Sequence, residues 1–370
     1  MECGSGKVAR RRPKGVLEIG WACFESAAAG RFEHVPLHVC YAEDTVRRVT
    51  VQAGGGHGWR ISALTTPRDK PAPWKIVVVT GAPSWAEYWA PLLAALPADR
   101  EMIVVDRPGF AGSEPVEYVG DIRIQAAALA PLLEAAPGQK VLLVGQSYGA
   151  AIAALMAAAQ PRGLKGLVLL SGYFGETGPT ARWLVDWGSK LLPFIPRDLK
   201  NAVREVAGQA SQLAHLHSVL PRVTVPLHII HGDADDFAPI ETAERFHARL
   251  KLHRSAGATF RRVAGANHFL NDGPPEELIR LLEACLPPPT SLDRVKSILE
   301  SQWLQFKSII PLNAPGWIPA PAEMIKTVTS ALSSDHERRV RPTPLARIAS
   351  AFSQALHSAR GDPLHVRRGA

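Results

Sequence analysis

Short aliphatic runs without alternation recur along the middle of the chain, at residues 76–80, 102–106, 141–144, 167–171 and 227–231. Runs of four to six apolar residues are what strands buried on both faces require, and helical patterns between them make the sheet mostly parallel. Upstream, TVRRVTVQ from Thr45 and WRISALTT from Trp59 flank the glycine-rich segment AGGGHG at residues 53–58, which predicts two strands joined by a turn. Helical periodicity covers residues 121–136, with Asp121 as N-cap, residues 239–252, and the stretch opened by Pro274 and Pro275 that runs to Leu286. The pattern predicts a doubly wound α/β protein with a mostly parallel sheet.

Between Leu170 and Leu227 the rhythm of strands stops, and helical segments at residues 183–192 and 198–220 fill the gap. About fifty residues stand where a plain crossover needs about a dozen. A small helical cap over the carboxyl edge of the sheet, about residues 173–225, is the expectation. Three regions follow: a poorly patterned leader at 1–40, a main domain at 41–288, and a proline-punctuated, Arg-rich tail at 289–370. The tail is expected to be partly ordered, with one amphipathic helix at residues 292–310.

Several features imitate other functions and fail on inspection. Twenty-one uncharged residues between Lys140 and Arg162 are just long enough to cross a bilayer, but they divide into a strand, a tight turn and an Ala-rich helix. The triple glycine at 54–56 leads into a strand instead of a helix, and the GSGK at Gly4–Lys7 lacks the following Ser or Thr, so neither is a phosphate loop. The net charge of +8 sits on the ends: five Lys/Arg against one acid in residues 1–15, and eleven against six in residues 289–370, leave residues 16–288 at −1. A generic nucleic-acid-binding body is not expected. Cys3, Cys23, Cys40 and Cys285 form no CxxC pair, and His34/His38 and His215/His217 have no third ligand nearby. Free thiols in a cytoplasmic protein with no metal, no cofactor, no transmembrane segment and no signal peptide are expected.

The sharpest chemical motif is Gly145-Gln-Ser147-Tyr-Gly149, between the strand VLLV and the helix AAIAALMAAA. A strand-to-helix turn this tight strains its central residue and tolerates only small flanking residues, so the serine hydroxyl projects above the sheet. A serine nucleophile needs a base and the base an orienting acid, in the order Ser, Asp, His along the chain. Downstream stand Gly232-Asp233-Ala-Asp235-Asp236 after the strand LHIIH, and Gly265-Ala-Asn-His268 after TFRRV. Asp235 and His268 are the candidates, with Asp233 and Asp236 as competing acids and His231 as a strand-end residue orienting the acid loop.

In these motifs the chain resembles the α/β-hydrolase superfamily, in particular its small-cap, esterase-like bacterial members, over roughly residues 45–288. The family's HG-x-x-D motif falls on His231–Asp235 and its histidine on His268. Asp106-Arg-Pro-Gly-Phe-Ala-Gly-Ser113 is similar to the D-x-P-G-x-G-x-S loop, with Ala111 where glycine is usual, and Thr80-Gly-Ala-Pro to HG-x-P, with threonine for histidine. The resemblance implies an oxyanion hole from the backbone N–H groups of Ala82 and Tyr148, which are indifferent to the side chain at position 80.

Trp85, Trp89, Trp183 and Trp187 are candidates either to line an apolar substrate pocket or to pack. The expected function is hydrolysis of small-molecule carboxylic esters by Ser147, His268 and Asp235. Carbon–carbon, thioester and lactone hydrolysis use the same residues, and an inactive interaction module with basic ends is the alternative from another class.

Overall fold

The computed structural model describes residues 45–253 and 257–287. The leader at 1–40 and the tail at 289–370 lie outside the described residues, as does the helix expected at 292–310.

Among the described residues eight strands form one sheet: β1 (Arg47–Gln52), β2 (Arg60–Thr65), β3 (Trp74–Val79), β4 (Arg100–Val105), β5 (Lys140–Gln146), β6 (Leu164–Leu170), β7 (Leu227–Gly232) and β8 (Ala258–Val263). Their spatial order is β1-β2-β4-β3-β5-β6-β7-β8. The β1–β2 hairpin joins the sheet antiparallel through β2 and β4, and every pairing from β4 to β8 is parallel. The fold is thus the α/β class with a mostly parallel sheet. Among the described residues seven α-helices accompany it: α1 (Ala90–Ala94), α2 (Ile122–Leu129), α3 (Gly149–Ala158), α4 (Pro179–Leu191), α5 (Arg197–Val219), α6 (Ile240–His253) and α7 (Pro275–Glu283).

The unbroken apolar runs are explained by burial on both faces. Val77, Val79, Val141 and Leu143 share one core with Ile122, Leu129, Ile152, Met156 and Phe246, while Ile76, Val78, Leu142 and Val144 share the other with Leu92, Leu93, Leu278 and Leu282. Strand side chains alternate between faces with period two, so a run apolar at every position serves two layers at once. The helix expected over 121–136 is shorter. Asp121 does cap α2 by accepting from the Arg123 N–H, but Pro131 offers no N–H to the ladder, and Ala130–Leu133 form a single 3-10 turn instead. Between β6 and β7 the chain forms α4 and α5, with no strand. No described helix is long and apolar enough to cross a membrane.

Candidate active site

The turn from β5 into α3 places Ser147 at the carboxyl edge of the central strands. Its φ of +50° lies in the left-handed region that a side-chain-bearing residue occupies only under constraint. The constraint is steric: a Cβ on Gly149 would come within 2.3 Å of the Val79 carbonyl oxygen, and one on Gly145 within 2.6 Å of Ala153 Cβ. Only glycine lets α3 start this close to β3.

Two other strand ends complete the arrangement. His268, beyond β8, has Nε2 2.9 Å from Ser147 Oγ and Nδ1 2.8 Å from an Asp235 oxygen. A carboxylate can only accept, so Nδ1–H donates to Asp235 and Nε2 accepts the serine O–H. The other Asp235 oxygen accepts the backbone N–H groups of Phe237 at 3.0 Å and Ala238 at 2.8 Å. Burial alone would raise the Asp235 carboxyl; the His231 and His268 rings and the Ala238 N–H override it and hold the group well below the usual carboxylate range. His231 Nε2 lies 2.8 Å from the Ala238 carbonyl and 3.1 Å from Asp235, tying the acid loop to the end of β7. The His268 ring is flanked by Phe237 and Phe269, with centroids at 5.0 Å and 5.3 Å.

The competing acids are engaged elsewhere. Asp233 accepts the Gly265 N–H at 2.7 Å, and Asp236 accepts the Thr180 hydroxyl. On the reading that Asp235 orients His268 for ester cleavage, Asp235→Asn should depress turnover by orders of magnitude, because an amide offers His268 a donor and favours the wrong ring tautomer. Asp233→Asn and Asp236→Asn should change it little, and steady-state kinetics on a model aryl ester would separate the three.

The loop after β3 runs beside the serine. A Cβ on Gly81 would lie 2.9 Å from Ser147 Cβ. Among the described residues, neither the Ala82 nor the Tyr148 N–H is taken up by a backbone acceptor. Thr80 turns inward: its hydroxyl donates to the Val105 carbonyl at 2.9 Å and is bonded to Ser84, so the residue replacing histidine anchors the loop to β4. Asp106 at the end of β4 accepts the Ala86 N–H at 2.7 Å and pairs with Arg48 at 2.6 Å. Burial and the nearby Glu87 push its carboxyl up to about 7, against the pull of Arg48.

With this geometry in place, comparison with known proteins is informative. A family model described as the α/β hydrolase fold matches residues 75–215. The chain has the α/β-hydrolase fold, and this match supports membership of that superfamily. It is 26% identical over 209 residues to a 2-hydroxy-6-oxononadienedioate/2-hydroxy-6-oxononatrienedioate hydrolase of Pseudomonas putida, covering 46% of this chain and 73% of that one. Over 223 residues it is 23% identical to a putative carbamate hydrolase of Shigella flexneri, covering 51% and 83%. Among solved structures, an esterase from Exiguobacterium antarcticum aligns with a TM-score of 0.50 and 18% identity over 64% of this chain and 99% of that one. A haloalkane dehalogenase of Agrobacterium tumefaciens aligns with a TM-score of 0.51 and 17% identity over 65% and 96%. At such identities the structural likeness shows the fold alone, while the curated relatives make the chain a hydrolase.

The four tryptophans that the sequence offers as pocket or packing residues differ in burial. Trp85 is 1% exposed, packs with Tyr88, Ala111 and Leu199, and donates its ring N–H to Asp198 at 2.7 Å. Its ring is held in the interior by this packing and the Asp198 carboxylate. Trp89 is also buried in the core. Trp183 and Trp187, on α4, are 53% and 52% exposed.

A buried ion pair that no sequence motif signals lies behind the loop after β3. Arg107 and Glu205, both fully buried, meet in a bidentate pair at 2.6 Å and 2.7 Å. Arg107 also donates to the Thr80 carbonyl at 2.8 Å, the Gly81 carbonyl at 2.7 Å and the Gln125 side chain at 2.8 Å. Nearby, Asp198 accepts the Ala111 N–H at 2.9 Å, clamping a residue of the D-x-P-G-type loop whose φ of +43° favours glycine.

Proposed function

We propose that this hydrolase cleaves small carboxylic esters through a Ser147–His268–Asp235 triad and an acyl-enzyme. His268 takes the Ser147 proton as Oγ attacks the ester carbonyl, and the proton then passes to the departing alcohol. The oxyanion is held by the Ala82 and Tyr148 N–H groups, with the positive end of α3 aimed at it. Asp235 holds the imidazole in the tautomer that accepts at Nε2 and stabilises the imidazolium. Water activated by His268 then attacks the acyl-enzyme, releasing the acid and regenerating Ser147. On the sequence grounds given above the reaction is cytoplasmic and needs no cofactor.

The observation that carries this reading is the 2.9 Å approach of Ser147 Oγ to His268 Nε2. A serine at this turn also disfavours dehalogenase and epoxide hydrolase chemistry, whose family branches use aspartate there. Labelling with a fluorophosphonate tests it: wild type should be modified at Ser147, and absence of labelling would leave a non-catalytic module. The hydroxy-oxo-dienedioate and carbamate hydrolases among the relatives make carbon–carbon and carbamate cleavage the second readings. A panel of esters, thioesters, lactones, carbamates and vinylogous diketones ranks them.

A cap of two helices limits how much acyl chain can be covered, while each buried methylene contributes roughly 0.8 kcal/mol. Activity on aryl esters, read as kcat/KM, is expected to rise from acetate to butyrate or hexanoate and then fall. Because Trp187 and Phe194 point outward, with Phe194 80% exposed, alanine at either should leave that optimum unmoved. A shifted optimum would place them in the pocket.

A further inference from the structure

The outer face of the cap carries a concentration of apolar surface that the hydrolytic site does not use. On α4, Trp183, Trp187 and Leu191 recur at intervals of four and are 53%, 52% and 46% exposed, and Phe194 just beyond the helix is 80% exposed. Spacing by four stacks them in one stripe. The opposite face of α4 is closed against α5, where a Cβ on Gly188 would come within 2.6 Å of the Val203 side chain. The stripe therefore lies on the outside of the described residues.

The margin of the stripe on α4 carries Arg182 and Lys190 against one acid, Asp186, all exposed. Lys190 Nζ sits 5.0 Å from the centre of the Trp187 ring. Phe194 also forms one wall of an open groove of about 420 Å³, whose other walls include Val116, Glu117, Tyr118, Lys200 and Arg204. Arg204 lies 5.8 Å from the Tyr118 ring centre. Phe194 thus joins an apolar stripe to a groove in which cations outnumber the one acid.

We propose that this corner of the cap docks on an anionic lipid surface. Trp183, Trp187, Leu191 and Phe194 enter the boundary between headgroups and acyl chains, where tryptophan's apolar ring and polar N–H are both accommodated. Lys190, Lys200 and Arg204 meet the lipid phosphates. The pattern is that of an interfacial helix, with aromatic and aliphatic residues on one side and Lys/Arg at its margin. A second copy of the chain is the poorer occupant, because a two-fold contact is made by the same patch on both partners and would bring these cations toward their own counterparts. The inference concerns where the protein sits and is independent of the ester-hydrolase reading.

The test uses the full chain with vesicles of phosphatidylcholine and with vesicles of phosphatidylcholine mixed with phosphatidylglycerol. Wild type should co-sediment with the mixed vesicles, and its tryptophan fluorescence should be quenched by lipids brominated on the acyl chains. Trp183→Ser combined with Trp187→Ser and Phe194→Ser should weaken mixed-vesicle binding by about tenfold or more and lose much of the quenching, with far-UV circular dichroism and thermal unfolding unchanged. Lys200→Glu with Arg204→Glu should weaken binding to mixed vesicles while the stripe stays intact. Binding by the triple variant as tight as wild type, or binding without quenching, would assign any attraction to basic residues elsewhere and overturn the proposal. Equal binding to both vesicle types would remove its electrostatic half, and a wild-type dimer dissolved by the triple variant would replace the lipid by a second copy.

Discussion

Ser147→Ala is expected to lower kcat on a short aryl ester by on the order of 10⁴-fold or more while leaving the protein folded, and His268→Ala to do the same. The two changes should not add. Each removes the one event in which the hydroxyl proton leaves as Oγ attacks, so the double variant should be about as slow as either single one. Residual activity should come from the donors facing the carbonyl oxygen, which these substitutions leave in place. Backbone strain gives a second readout. Ser147 sits at φ +50°, where a Cβ is penalised on the order of 1 kcal/mol relative to glycine. Ser147→Gly should thus be as inactive as Ser147→Ala yet melt at a higher temperature. Retained turnover and fluorophosphonate labelling in Ser147→Ala would end the serine mechanism.

Elements whose causes are local were legible in the sequence. Runs such as residues 141–144 are apolar at every position because both faces of β5 are covered, and the hairpin glycines fall where β1 turns into β2. The Ser, Asp, His order was legible because each residue follows a strand that a short pattern marks. Contacts that depend on how distant segments meet were not. Glu205 sits in a helix whose sequence reads as amphipathic and solvated, and nothing near it signals a partner 98 residues away. Phe237 and Phe269 look like loop hydrophobics until the acid and histidine loops converge and enclose the His268 ring. Tryptophan posed the converse problem. Hydrophobicity alone does not distinguish Trp85, tied inward by Asp198, from Trp183 and Trp187, which face out.

The buried pair behind the loop after β3 should prove the most sensitive position outside the proposed triad. Glu205→Ala leaves the Arg107 guanidinium buried with no counter-charge, a change that typically destabilises by about 3–5 kcal/mol. Arg107 is also the link between the cap and the loop. It holds the Thr80 and Gly81 carbonyls, lies 5.0 Å from the Tyr148 ring centre, and receives Glu205 from α5. Both proposed oxyanion donors, Ala82 and Tyr148, are therefore next to groups that Arg107 touches. A loop released from that hold no longer presents its N–H where negative charge develops, which is a transition-state loss more than a binding loss. Glu205→Gln keeps the shape and one acceptor, so it should retain more of both stability and turnover than Glu205→Ala. In urea denaturation, Arg107→Met combined with Glu205→Leu should be less destabilised than the sum of the two single changes, because the double variant strands no charge. In kinetics, Glu205→Ala measured well below its melting temperature should show a fall in kcat larger than any rise in KM. Strictly additive stabilities would mean that the two charges are not coupled, and an unchanged kcat would mean that the pair supports the cap without setting the loop.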